Sequence, residues 1–263
     1  MYPEIHLGPL TLQTFGLMFA LAFLGAGALI GKRLKEIGKP GDWAYEMGFA
    51  ALVGGVIGSR VYFIVQNYDS VKHDLFGNLF GGSGLVWYGG AIGGAIGVLL
   101  WARRRHFLSL TLLDLVAPAL ALGYAIGRVG CQLSGDGDYG KPWNGPWAMS
   151  YPHGTVPTDR TVHPTPIYET LAMGLGAWIL WQLRDRFRTG VLFAIYLIYS
   201  GTERFLVEFI RRNHDVALGL TGAQLESLGI MVIGAAWVYL VRRRYGNLSR
   251  VEAPLAADLG PAA

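Results

Sequence analysis

Seven stretches of the chain are apolar over the length a helix needs to cross a bilayer: about residues 12–30, 47–65, 85–101, 112–130, 167–183, 191–210 and 220–240. Short charged turns lie between them, among them Lys32-Arg33-Leu34-Lys35, Arg103-Arg104-Arg105, Arg184-Asp185-Arg186-Phe187-Arg188 and Arg242-Arg243-Arg244. The pattern predicts an all-α integral membrane protein of about seven transmembrane helices. It reads as a single polytopic domain over residues 1–245 with one long connecting loop, about 131–165. Residues 246–263 form a tail whose last dozen positions, rich in Ala and Pro, read as frayed. The N-terminus lacks a basic leader, and the first apolar run is long enough to remain as an anchor rather than be cleaved.

The basic residues set an orientation. Lys32, Arg33, Lys35, Lys39, Arg103 to Arg105, Arg184, Arg186, Arg188, Arg242 to Arg244 and Arg250 fall on one side of the seven spans. Only Lys72, Lys141, Arg160, Arg211 and Arg212 fall on the other. By the positive-inside rule the richer side is cytoplasmic, which puts the N-terminus outside and the C-terminus inside. The net charge of +4 is then mostly a topology signal, and no nucleic acid partner is expected. The 38 glycines are spread as in helices that pack closely in lipid. The single cysteine, Cys131, excludes an intramolecular disulfide and a multi-cysteine metal site.

Arg60, Arg128 and Arg204 lie inside the apolar runs. A cation at bilayer depth costs roughly 3 kcal/mol or more, so it usually faces a protein-lined cavity and meets an anion there. The topology places all three in the outer half of the membrane. The segment from Gly127 to Pro142 carries Arg128 into a loop of glycines and carboxylates. Such a loop can hold a phosphate between the guanidinium and backbone amides, with Asp136 orienting the arginine. It can equally be a capped helix end with a snorkelling arginine. Arg204 and Glu208 share a helical face, and Glu203 or Glu208 could neutralise Arg204 as a structural pair or as part of a shared anion site. Gly89, Gly93 and Gly97 fall on one face, as expected of close helix packing. Tyr88, just before them, is either an interfacial anchor or a site residue. His163 and Glu169 are outer-layer candidates for proton transfer. Gly135-x-Gly137-x-x-Gly140 follows a membrane helix rather than a strand, so it is not read as a dinucleotide site. Asp136-x-Asp138-x-Gly140 has Trp147 where a calcium loop needs glutamate. Metalloprotease and serine-hydrolase motifs are missing from the sequence, and neither a metal nor a cofactor is expected.

A set of collinear motifs resembles the prolipoprotein diacylglyceryl transferase family of the bacterial inner membrane. They are Gly8-Pro9-Leu10-Thr11 with Gly16-Leu17-Met18, Gly58-x-Arg60-x-Tyr62, Tyr88-Gly89-Gly90, Asp114-x-x-Ala117-Pro118 and Gly127-Arg128-x-Gly130. Further along come His163-Pro164-Thr165-Pro166-x-Tyr168-Glu169, Arg204-x-x-x-Glu208-x-x-Arg211 and Gly222-x-Gln224. The resemblance implies a multi-pass protein of the inner (cytoplasmic) membrane with a periplasmic N-terminus and a cytoplasmic C-terminus. It implies transfer of a diacylglyceryl group from phosphatidylglycerol to the lipobox cysteine of a prolipoprotein signal peptide, which forms a thioether and releases glycerol 1-phosphate. Arg128, Arg204 and Tyr88 match catalytic positions. Arg60, Asp136, Gly140, His163, Tyr168, Glu169 and Glu208 are expected to bind substrate or orient the arginines. Well-known members have histidine where this chain has Tyr88. A phenol with a pKa of about 10 is a poor base, so thiol activation is assigned mainly to the arginines, with Tyr88 positioning or relaying a proton. The competing readings are a lipid-binding paralogue without activity and a lipid or anion transporter.

Overall fold

The computed structural model describes residues 1–68 and 86–250. The seven apolar runs all become helices: α1 (Thr14–Glu36), α2 (Trp43–Gln66), α3 (Trp87–Arg104), α4 (Leu110–Ser134), α5 (Thr165–Leu183), α6 (Val191–Glu208) and α7 (Gly222–Tyr245). Among the described residues three short antiparallel hairpins accompany them: β1 (Glu4–Leu7) with β2 (Leu10–Gln13), β3 (Met149–Tyr151) with β4 (Thr158–Val162), and β5 (Asp215–Ala217) with β6 (Leu220–Thr221). The hairpins are outside what the apolar pattern foresaw, because their strands are two to five residues long. Lys72 and most of the tail, residues 251–263, lie outside the described residues.

Among the described residues four helices, α1, α2, α4 and α7, are long and apolar enough to cross a membrane. The other three are shorter, with 18, 19 and 18 residues, and α6 also carries Glu203, Arg204 and Glu208. The surface is unusually apolar, and several charged residues lie inside an otherwise apolar interior. Leu24, Phe49, Ile57, Leu171, Trp178 and Val232 are exposed, while Arg60, Glu169, Glu208 and Arg211 are buried. Large apolar side chains turned outward around charged residues turned inward are the arrangement expected when the solvent is hydrocarbon.

The chain forms two compact units, one of Met1–Ala26 with Leu113–Ala263 and one of Gly27–Leu112. In the second, α2 and α3 meet backbone to backbone. A Cβ on Gly54, Gly58, Gly89, Gly93 or Gly97 would overlap the facing helix's main chain, as the glycine stripe in the sequence suggested. At the end carrying the basic turn, Glu46 of α2 accepts hydrogen bonds from Trp101 Nε1 (2.8 Å) and from Arg105 Nε and Nη2 (2.8 and 2.5 Å).

In the larger unit the core is built from α4, α5 and α6: Ala121 and Ala125, then Met173, Ala177 and Leu180, then Leu192. Alanines at the contacts let the three helices approach closely. Asp114 on α4 fixes the start of α6. Its carboxylate accepts from the amides of Gly190 (2.6 Å) and Phe193 (2.9 Å), two of the donors a helix N-terminus leaves unpaired. α4 and α6 therefore run in register, which carries Arg128 and Arg204 to the same end. The faces continue past the core. Arg128 follows Ala121 and Ala125 on α4, and Glu169 precedes Met173 and Ala177 on α5 at helical spacing. The charges thus stack on the end of the apolar seam.

Replacing Gly93 with Val should push α2 and α3 apart. Overpacking of this kind costs about 1–3 kcal/mol and should lower the unfolding midpoint of the detergent-solubilised protein by several degrees. Gly174→Ala, at a helical position with no neighbour within 4 Å, should leave the midpoint unchanged or raise it slightly.

Candidate active site

Three guanidiniums and three carboxylates interlock in the larger unit. Glu169, fully buried on the first turns of α5, is the hub: it pairs with Arg128 Nε, with Arg204 Nη1 at 3.4 Å and with Arg211 Nη1 at 3.3 Å. Asp138, in the loop after α4, bridges Arg128 Nη1 and Arg211 Nη2, the latter at 2.5 Å. Glu208 closes α6 and pairs with Arg204 Nη2 (3.0 Å) and Arg211 Nε (3.7 Å). It also accepts hydrogen bonds from Asn213 Nδ2 (2.5 Å) and Thr221 Oγ1 (3.0 Å). Thr221 is the N-cap of α7, where it forms a reciprocal capping box with Gln224. Its hydroxyl gives its proton to Glu208 and accepts from the Gln224 amide (3.3 Å), so the start of α7 is tied to the cluster.

The arginines differ in how fully they are engaged. All three nitrogens of Arg128 have protein partners, since Nη2 also donates to Tyr124 OH (2.9 Å) and Nη1 approaches Cys131 Sγ (3.7 Å). Its guanidinium also lies over the Tyr124 ring, 4.8 Å from the centroid. Arg204 is less enclosed, with 26% of its side chain exposed, and its Nε–H has no acceptor among the described residues. It is the open face of the cluster.

The loop from Gly135 to Pro164 is stitched to the helix ends. Gly140 N donates to His163 O (2.8 Å), Lys141 N to Ile210 O (2.7 Å) and Thr165 Oγ1 to Asp138 O (2.5 Å). Gly140 is required sterically, because a Cβ there would lie 2.5 Å from the Ile210 carbonyl oxygen. Gly135 and Gly137 have positive φ, 59° and 95°, which twists the loop back over the end of α4.

Several sequence expectations change in detail. Asp136 does not orient Arg128; Asp138 does. The twisted backbone turns the Asp136 carboxylate onto the Asp138 amide, which it accepts at 3.2 Å as a local turn. The second carboxylate on Arg204 is Glu169 rather than Glu203, which is one residue away on α6 and points off the shared face. Arg211, counted in the sequence as an outer-side charge and as the end of the Arg204-x-x-x-Glu208-x-x-Arg211 motif but given no site role, is buried and pairs with all three carboxylates. Its i+3 spacing from Glu208 and i+7 from Arg204, already visible in that motif, is the signal that could have assigned it to the site. His163 and Tyr168 lie outside the ion cluster. They line an apolar cleft of about 540 Å³ with Trp143, Trp147 and Ile210. His163 stacks on Trp143 (4.4 Å between ring centroids), and Tyr168 OH accepts from Trp147 Nε1 (2.7 Å). Partial burial lowers the His163 pKa from its ordinary value. Arg60, buried on α2, and Tyr88, half-exposed at the start of α3, belong to the other compact unit.

Electrostatics separates the two loop aspartates. Burial pushes the Asp136 carboxyl above the usual carboxylate range, and the neighbouring Asp138 charge adds to this. Burial acts the same way on Asp138, but Arg128 and then Arg211 outweigh it and hold that carboxyl below the usual range. Oxygen and sulfur atoms of Cys131, Asp136 and Asp138 lie within 4.8 Å of one another. Both Asp138 oxygens are bound by guanidiniums and Cys131 faces Arg128, so a metal cation would stand against fixed positive charge. The donor set does not suit one.

A model of the prolipoprotein diacylglyceryl transferase family matches residues 4–240. The chain belongs to this family. A phosphatidylglycerol–prolipoprotein diacylglyceryl transferase of Clostridium tetani is 34% identical over 231 residues, covering 86% of this chain and 91% of its own. The protein of the same name from Chromohalobacter salexigens is 32% identical over 267 residues, covering 96% and 98%. That from Leptospira interrogans is 31% identical over 234 residues, covering 78% and 73%.

Removing the charge of the hub should be severe. Glu169→Gln leaves three guanidiniums sharing two carboxylates, and breaking a buried network in this way costs about 3–5 kcal/mol, readable as a lowered denaturation midpoint. Asp136→Asn should not destabilise at neutral pH. A carboxyl whose pKa is raised by folding favours the fold while protonated and loses that contribution as pH rises through the raised value. The neutral amide should therefore equal or exceed wild type at pH 7, and the difference should vanish in acid.

Proposed function

We propose that this chain moves the diacylglyceryl group of phosphatidylglycerol onto the lipobox cysteine thiol of a prolipoprotein. The observation that carries the reading is the buried guanidinium cluster opening at Arg204, in a chain whose helices turn apolar side chains outward. The donor lipid brings an anionic phosphate diester to that depth. The bond from the glyceryl carbon to the phosphate oxygen breaks, a carbon–sulfur bond forms, and the thiol proton leaves as glycerol 1-phosphate departs.

Arg204 and Arg128 hold the phosphate and stabilise the charge that grows on its leaving oxygen. Glu169 and Glu208 keep the guanidiniums aimed, which is what preorganised donors require. Asp136 and Gly140 shape the loop against the headgroup, with Gly140 bringing it close to the end of α6. His163 and Tyr168 present the aromatic cleft beside it, and Arg60, in the smaller unit, is carried over as a substrate-binding residue from the family resemblance alone. The same guanidiniums lower the pKa of the incoming thiol, which is near 8.5 when free. Tyr88 positions that thiol or relays its proton.

The membrane arrangement belongs to the same proposal. All seven helices cross the inner membrane, with the N-terminus periplasmic and the C-terminus cytoplasmic. The basic residues in the last turns of α1, α3 and α7 favour this orientation. The two substrates are lipid and signal peptide, both drawn from the bilayer and its outer face.

The test is transfer by purified protein with phosphatidylglycerol vesicles and a lipobox peptide, with mass spectrometry of the peptide. The expected product carries the diacylglyceryl group as a thioether. Arg204→Ala should reduce turnover about 10²–10³-fold, the usual loss of one preorganised donor. Tyr88→Phe should lower turnover by at least about tenfold if the phenol relays a proton. Wild-type protein that leaves the peptide unmodified would defeat the reading.

A further inference from the structure

We infer that Asp138 is an internal stand-in for the substrate phosphate: it holds the position between Arg128 and Arg211 and must give it up when the anion binds. This rests on the phosphate-binding role proposed above. Three guanidiniums face three carboxylates and their formal charges cancel. Each nitrogen of Arg128 is already occupied. A phosphate diester therefore adds an uncompensated negative charge, and on Arg128 it meets only the second Nη2 hydrogen outside the contacts to Asp138, Cys131, Glu169 and Tyr124, unless a resident acceptor leaves.

Only one acceptor is built to leave. Glu169 is fully buried on a helix and held by three arginines. Tyr124 lies on α4, one turn from Arg128 itself. Glu208 is buried and also anchored by Asn213 and Thr221. Asp138 lies in a loop, and its side chain is 31% exposed, the most open of the three carboxylates. Its two oxygens each take one guanidinium, the way a phosphate presents two oxygens to two arginines. The backbone around it is pinned by Thr165 to the Asp138 carbonyl and by Gly140 to His163. The exchange is thus a rotation of the Asp138 side chain towards solvent, with the loop staying in place. Asp138 is a positioning residue: while it is bound, the arginines stay aimed and charge-balanced, and when it swings out, Arg128 is delivered to the headgroup.

The test uses Asp138→Asn and Asp138→Ser, with Asp138→Glu retaining the charge. Thermal unfolding is read with and without sn-glycerol 1-phosphate, and KM and kcat are read for phosphatidylglycerol. Both neutral variants should start less stable than wild type. They should gain a larger stabilisation from glycerol phosphate and show a KM lowered about three- to tenfold, whereas Asp138→Glu should show neither gain. If the neutral variants gain nothing, or Asp138→Glu gains as much, Asp138 is a fixed strut and the inference falls. Failure of both neutral variants to fold even with glycerol phosphate present counts against it too, since the anion should replace the lost charge. The unfolding measurement is independent of turnover. A larger anion effect in an enzyme that never modifies the peptide would sink the functional reading and leave the exchange standing.

Discussion

One carboxylate shared by three guanidiniums holds the rest of the site together. Glu169 is out of contact with solvent, and an isolated charge there would be prohibitively desolvated. Arg128 comes from α4, while Arg204 and Arg211, seven residues apart, come from α6 and the segment just beyond it. None can be removed without exposing the same hub. The cluster therefore links the ends of three helices whose middles meet in the alanine seam. It also explains why the loop after α4 is ordered against them: Asp138 completes the coordination of two of the three arginines.

Polar and apolar surfaces alternate at this end of the molecule because neighbouring side chains diverge. Tyr168 turns into the aromatic cleft while Glu169 turns into the ion cluster, one residue apart on α5. Ile210 and Arg211 repeat the division after α6. A few residues thus separate an apolar cleft from a charged cluster without any change of fold, and a substrate that is itself amphiphilic has use for both. Gly140 permits this closeness, since the loop can reach the Ile210 carbonyl only where no Cβ intervenes.

The helices were legible because hydrophobic length is a strong signal in a lipid-facing protein. All seven runs became helices, and the glycine stripe became the α2–α3 contact. The Arg204–Glu208 pair was legible from its spacing on one helix. What the sequence concealed is what depends on loop conformation or on partners distant along the chain. Asp136 and Asp138 are indistinguishable by composition, and the positive φ of Gly135 and Gly137 decides which one meets Arg128. Glu169 could be named as a candidate, but its role as a hub requires the register of α4, α5 and α6, which the Asp114 cap on α6 helps to set. The short hairpins escaped because strands this brief leave no periodicity to read.

The unequal engagement of the arginines bears on how such a site can do chemistry. A guanidinium already saturated by protein acceptors is rigid but has nothing to offer a substrate, while one with no acceptors is available but poorly aimed. Catalysis by electrostatic stabilisation needs donors that are both fixed and free at the moment charge develops. Arg204 meets this because its Nε has no acceptor among the described residues while Glu169 and Glu208 pair with its two other nitrogens. Arg128, with only its second Nη2 hydrogen uncommitted, can offer a phosphate paired donors only if one of its acceptors is provisional. An enzyme that binds an anion inside a membrane also cannot leave its cations bare between turnovers, because uncompensated charge at that depth destabilises the fold. A loop carboxylate that balances the empty site and yields to the substrate satisfies both demands, and among the acceptors around Arg128 only Asp138 has the position and the exposure to serve.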